Sequence, residues 1–158
     1  MIKFNKTKNK RRLKMKLPLS GTERSNLRKN RVRIDQIPTK TTEELKTILN
    51  CSADRAKELK GLLDFQQIPS IGLGASKMMV QVLGFYSVND VRNENPAELF
   101  DRYEELVGCR VDPCVEDQIR CIVYHANELN CVLVWSDFTD ERKAYRNTQG
   151  YPPTRPEK

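Results

Sequence analysis

The sequence is poor in the groups that carry most catalytic chemistry. It has one histidine, His125, and one tryptophan, Trp135, among 158 residues. Its five cysteines, Cys51, Cys109, Cys114, Cys121 and Cys131, include no Cys-x2-Cys pair. A tetrahedral zinc site needs four ligands at suitable spacing. Cys121 and His125, four residues apart on one helix face, supply only part of one. We therefore expect no metal centre, and thiols buried beside an apolar stripe. The same pair makes a poor nucleophile–base couple, because nothing nearby orients it. No carboxylate cluster resembles that of a metal-dependent nuclease. Glu104-Glu105 and Glu116-Asp117 are neighbours on helices, so their members point apart and read as solvated faces. The expectation is a protein that is not an enzyme. No apolar run is long enough to span a bilayer, and Met1 to Lys6 lacks the apolar block of a secretory signal. Reduced thiols in the cytoplasm are the simplest account of an odd cysteine count without such a signal. Strands are missing too. Cys131 to Trp135 is short and apolar, has no partner, and reads as a packed connector. Trp135, Phe138, Tyr145 and Tyr151 are scattered, which fits packing of the C-terminal segment on the core better than stacking on bases.

Acidic residues are nearly absent from the first forty positions. Residues 1–40 hold fourteen Lys/Arg against two Asp/Glu, a net of +12. Residues 41–158 hold fourteen against nineteen, a net of −5. The basic character thus belongs to the N-terminal part and the remainder is mildly acidic. Residues 1–16 are polar, basic and free of helical periodicity, and we expect them to be disordered in isolation. Lys10, Arg11 and Arg12 sit in the middle of this arm. It reads equally as an electrostatic arm for nucleic acid, as a solvated tail, or as an extension upstream of a start at Met15.

What is present is a succession of helix signals. The spacing predicts a short helix over Thr22–Asn30 within a basic segment, residues 17–40. Thr41 to Glu44 forms a capping box. Ser52 caps a helix whose stripe is Ala56, Leu59, Leu62 and Leu63. A helix over Ala75–Leu83 ends at Gly84, a left-handed cap. Ser87 starts a short helix, and Asn95-Pro96 starts another with proline at its first position. Leu99, Phe100, Tyr103 and Leu106 form the inner face of the latter, and Gly108 closes it. After Asp112-Pro113, Val115, Ile119, Ile122, Ala126 and Leu129 recur as one helical stripe. A last helix begins at Thr139, and Tyr151 to Pro156 is an extended tail.

Between two of these helices lies Ile68-Pro69-Ser70-Ile71-Gly72-Leu73-Gly74-Ala75-Ser76-Lys77. The pattern of apolar anchors around Gly-x-Gly, followed by a helix start, is the signature of a helix-hairpin-helix turn. Glycine removes the Cβ, so the backbone turns tightly and is closely approached. The helix that follows points free N–H groups outward, an arrangement that attracts a phosphate. Lys77 in the first helical turn adds a charge. A second helix pair follows, joined by Gly108 to Asp112, which lacks the Gly-x-Gly. The expected class is all-α. A paired helix-hairpin-helix (SAM-like) domain over residues 41–130 carries short extra helices at both ends. Residues 131–158 supply a C-terminal helix and a Pro-rich tail packed on it.

Three longer stretches, Phe65 to Gly72, Leu83 to Ser87 and Asp112 to Arg120, resemble the bacterial pathogenicity-locus family of helix-hairpin-helix proteins. Some members of that family are labelled mitomycin resistance protein. Trp135 to Thr139 and Glu141 to Arg146 resemble the family's C-terminal segment. The resemblance implies a compact helical fold and DNA binding. The functional expectation is non-sequence-specific DNA binding without an enzyme activity. The backbone would be held at Ser70, Ile71, Gly72, Leu73, Gly74, Ala75, Ser76 and Lys77, aided by Lys10, Arg11 and Arg12. No cofactor is expected beyond a monovalent cation at the hairpin, as bound by such hairpins in other families. The alternative is a protein-interaction module with no direct role at nucleic acid.

Overall fold

The computed structural model describes residues 14–158. Lys10, Arg11 and Arg12 therefore lie outside the described residues. The described chain is all-helical, with no strand among the described residues. Helix α1 spans Gly21–Lys29, α2 Thr42–Leu49, α3 Ala53–Gln66, α4 Leu73–Lys77, α5 Pro96–Val107, α6 Cys114–Asn127 and α7 Thr139–Gln149. Helix α4 continues without a break as a π-helical turn, Met78–Val82. Short 3-10 turns occupy Ile34–Thr39, Val88–Val91 and Trp135–Phe138.

Local chemistry sets most helix starts. The Ser20 hydroxyl accepts the Glu23 N–H, and the Glu23 carboxylate accepts the Ser20 N–H. Thr41 and Glu44 repeat this exchange, and Ser52 and Asn95 cap α3 and α5. Each such cap satisfies backbone donors that a helix leaves unpaired. Gly84 and Gly108 take positive φ and stop the helices before them. The core is centred on α3, where Leu59, Leu62, Leu63 and Phe65 are fully buried. Ile37, Leu45, Leu49, Met79, Phe100, Ile119 and Ile122 surround them.

Several expectations fail for one physical reason: polar groups compete for buried positions. On α5, the place one turn beyond Phe100 is taken by Glu104, fully buried, while Leu106 is 54% exposed. On α6, Glu116 and Asp117 are buried as well. These carboxylates are not solvated faces. Glu116 accepts from Arg120 on its own helix and from Arg146 on α7. Asp117 accepts from Thr139 and Arg142. Glu104 accepts two bonds from Arg155 in the tail and one from the Val111 N–H. Arg146 also reaches Asp101 and the carbonyls of Ala97 and Gly150, and its guanidinium lies 4.2 Å from the centre of the Tyr151 ring. Among the described residues no buried side-chain nitrogen or oxygen lacks a partner.

The stripe of α6 ends early. The helix stops at Asn127, so Leu129 falls outside it and is 83% exposed. The connector after it is packed only in part: Val132 and Leu133 face solvent, while Trp135 packs against the core. Of the thiols, only Cys121 is buried; Cys109 is exposed and the others are intermediate. At the other end, Met15 packs against the core and Lys16 is tied to α3, so the last residues of the basic arm are docked.

Three outcomes follow from this packing. Glu116→Ala removes the buried carboxylate shared by Arg120 and Arg146, leaving them Glu141 and Asp101, and should cost at most about 3–5 kcal/mol, read as a lower urea midpoint. Gly61 in α3 sits where an added Cβ would stand 2.9 Å from the Tyr86 carbonyl oxygen. Gly61→Ala should cost about 1–3 kcal/mol as overpacking. Gly74→Ala meets nothing within 4 Å, so replacing glycine inside a helix should add about 0.5–1 kcal/mol; thermal melts of the two variants should therefore move in opposite directions. The third outcome is pH dependence. Burial pushes the Glu104 carboxyl up, but Arg155 and the Val111 N–H outweigh it and hold it below the ordinary value of 4.5. A depressed carboxylate stabilises the fold fully above the ordinary range, and this is lost as pH falls through the folded pKa. The melting-temperature gap between wild type and Arg155→Met should be widest near neutral pH and narrow in acid.

Candidate nucleic-acid interface

The turn from α3 to α4 is built by buried anchors rather than by its glycines. Ile68 and Ile71 are 5% and 4% exposed and hold both ends of the turn to the core. The Ile71 N–H donates to the Ile68 carbonyl, closing it. The left-handed residue is Ser70, with φ of 66°, not a glycine. Its hydroxyl accepts the Trp135 N–H at 2.9 Å, which ties the turn to the segment before α7. Gly72 is extended and caps α4, with φ of −99°. A side chain at Gly72 or Gly74 would meet nothing within 4 Å. The expectation that these glycines serve a tight turn is thus corrected. No contact among the described residues requires them.

The eight hairpin residues divide by burial. Ile71, Ala75 and Ser76 face inward. The Ser76 hydroxyl donates to the Gly72 carbonyl at 2.9 Å, as does its N–H at 3.1 Å. These residues shape the turn and present nothing to solvent. Ser70, Gly72 and Gly74 are exposed, with Leu73 and Lys77 half-buried between them. No side chain caps α4, so its leading N–H groups open onto this glycine-lined surface.

The N-terminal segment lies against the same turn. The Gln66 side chain, 4% exposed, accepts the Lys16 N–H at 2.9 Å and donates to the Lys16 carbonyl at 2.8 Å. A second donation to the Leu62 carbonyl fixes the amide. Lys14 and Met15 then line a cleft of about 230 Å³ with Gln66, Ser70, Ile71 and Gly72. The hairpin and the root of the basic arm, distant in sequence, become neighbours. Gln66 had no sequence signal, because an amide bonding a backbone fifty positions away leaves no local pattern.

The other flank of the turn differs. Pro69 borders a cleft of about 380 Å³ with Asp64, His125, Glu128, Leu129 and Cys131. His125 Nε2 donates to the Leu133 carbonyl at 2.9 Å, which puts its proton on that nitrogen. The Cys121 thiol approaches the same carbonyl at 3.9 Å. Burial pushes Cys121 up to about 12. Burial and the Asp112 carboxylate push Cys114 up to about 11. Neither sulfur carries thiolate character at neutral pH. Among the described residues no three His, Cys, Asp or Glu side chains group to hold a metal ion. No helix among the described residues is long and apolar enough to cross a membrane.

The second helix pair is closed where the first is open. In the link from α5 to α6, Val111 donates to Glu104, and Arg110 donates to the Pro156 carbonyl of the tail. The C-terminal segment therefore lies over that link.

Comparison with known proteins adds a relationship to this geometry. The chain is similar to the mitomycin resistance protein McrB of Streptomyces lavendulae, with 26% identity over 88 residues, covering 56% of this chain and 82% of that protein. No solved structure matches the chain. The pathogenicity locus family matches residues 58–144, from the middle of α3 into α7. That span is more than half of the sequence and contains the exposed turn, the buried carboxylates and both helix pairs, so the chain belongs to the pathogenicity locus family.

Proposed function

We propose that this protein holds the phosphate backbone of DNA without reading its sequence. In this reading the α3–α4 turn acts as a helix-hairpin-helix contact, and the basic arm adds non-specific attraction. The observation that carries the reading is the docking of Lys14 to Lys16 beside Ser70–Gly72. It brings Lys14 and Lys16, at the end of the basic arm, to a turn whose exposed glycines leave the backbone bare. Backbone N–H groups at an uncapped helix start favour an anion there, and Lys77 contributes a nearby charge. Contacts of this kind position a duplex and carry no sequence information. Ser70, Gly72, Gly74 and Lys77 are the contact residues in this proposal. Ile71, Ala75 and Ser76 shape the turn from inside.

A second reading has its own observation. Leu129, Val132 and Leu133 are exposed at 83%, 77% and 37%, and Leu129 borders the turn in the cleft with Asp64 and Glu128. An apolar exposure of this kind fits a partner protein better than a phosphate chain.

The open space at Gly74 makes a clean test. Gly74→Leu should keep the fold and obstruct backbone approach. The structure puts Lys77 at the end of α4 and not in its first turn, half-buried and in no ion pair with a described residue, so Lys77→Glu should also keep the fold and should repel phosphate. We expect wild type to bind a duplex oligonucleotide in the non-specific range of about 10⁻⁴ to 10⁻⁶ M. Both variants should bind at least several-fold more weakly, with melting temperatures no lower than that of wild type. Equal affinity across all three proteins would remove the hairpin from the interface and favour the partner-protein reading.

A further inference from the structure

We infer that α1 forms a second backbone-binding surface, made by Arg24, Arg28 and Arg31, apart from the hairpin. The inference rests on the proposal that the chain binds nucleic acid. It extends that proposal to a helix that lies before residue 58, outside the family-matched span.

The argument starts from how arginines are used along the chain. In the C-terminal half, Arg120, Arg142, Arg146 and Arg155 are all consumed by carboxylates. Arg55 is consumed by Glu23 and Glu58. A guanidinium used this way has little charge left for a partner. Residues 20–33 show the reverse. Arg33 pairs with Asp35, whereas Arg24, Arg28, Lys29 and Arg31 are exposed and form no ion pair with any described residue. The one acidic side chain of α1, Glu23, is buried and spent on its cap and on Arg55. So the outer surface of α1 has cations and no anion to balance them.

The helix also holds those cations still. Its inner face is Glu23 and Leu27, both buried. Asn26 donates to the Leu49 carbonyl at 2.9 Å, tying α1 to α2. Arg24 and Arg28 follow the buried pair by one position, so they share a face about 6 Å apart along the axis. Arg31 comes three positions later, in the left-handed turn that ends the helix. A rigid row of unpaired guanidinium groups suits a chain of phosphates, each taken by a fork of donors. A membrane surface fits less well. The exposed residues Gly21, Thr22, Arg24, Ser25, Arg28 and Lys29 offer no apolar side chain to insert.

The experiment is a salt titration of the full chain on a duplex oligonucleotide of mixed sequence. Compared with wild type are Arg24→Ala/Arg28→Ala, Arg24→Lys/Arg28→Lys, and a control of equal charge loss, Arg102→Ala/Lys143→Ala, whose two residues are exposed on α5 and α7. Melting temperatures confirm that each variant folds. The alanine pair should make the slope of log K against log salt shallower by about two, at about 0.9 per phosphate contact. The lysine pair should restore most of it, and the control should stay close to wild type. A slope for the alanine pair equal to that of the control overturns the inference. If wild type binds, and Gly74→Leu weakens binding while the α1 pair does not, only this inference falls. If the α1 pair weakens binding and Gly74→Leu does not, α1 stands and the hairpin contact falls. Absence of wild-type binding to the duplex at low salt refutes both.

Discussion

The fold depends on neutralising three carboxylates that α5 and α6 bury. Helix α7 has no buried residue of its own, so apolar burial does not hold it. Arg142 and Arg146 do, by reaching Asp117 and Glu116 in the interior. Arg155 does the same for the tail through Glu104. Burying a charge without a partner costs several kcal/mol, so helices α5 and α6 demand the C-terminal segment as strongly as that segment demands them. The aromatic rings complete the arrangement. Tyr151 takes the guanidinium groups of Arg146 and Arg155 on its ring and lies 6.4 Å from Phe100. This locks a helix of very polar composition onto the body without a hydrophobic face.

That constraint also explains the charge map. The C-terminal arginines are counter-ions of the interior and contribute little outward potential. The outward positive charge then comes from cations without an ion pair, and on α1 and the turn after it Arg24, Arg28, Lys29 and Arg31 are such a group within eight positions. Arg55 is the hinge between the two regimes. It joins Glu23 of α1 to Glu58 of α3 and also donates to the Pro18 carbonyl. In doing so it attaches the basic N-terminal segment to the acidic body. Gln66 repeats the attachment at Lys16, with neutral amide bonds in place of charges.

Much of the helical succession was legible, because caps are local. Ser52, Asn95, Gly84 and Gly108 act within four residues of their own positions, and a reader of sequence sees that range. The failures have the opposite character. Glu104, Glu116 and Asp117 look like surface residues by type, and their partners lie between four and fifty-one positions away. Leu129 looked like the next member of a stripe, but the helix ended two residues earlier. Leu106 looked like core because its type is apolar, yet the buried stripe of α5 passes through Phe100 and Glu104 instead. Periodicity identifies which residues share a face, and only tertiary partners decide which face goes inside.

The candidate site was legible in a different way. The segment from Ile68 to Lys77 stood out, but for a reason that the geometry revises. Glycines in the chain differ in what they do. Gly61 is required by the carbonyl of Tyr86, while Gly84 and Gly108 are required by positive φ. Gly72 and Gly74 meet neither need, since an added Cβ touches nothing and Gly72 lies at negative φ. A glycine inside a helix lowers stability by about 0.5–1 kcal/mol relative to alanine. At Gly74 no contact among the described residues offsets this. In the proposed DNA contact, close approach of a phosphate chain gives the missing Cβ a use. Two lysines lie on that side, Lys14 in the adjoining cleft and Lys77 one turn along the helix. Under that proposal the two lysines favour an anion, and a bare backbone between them suits one that is itself part of a chain.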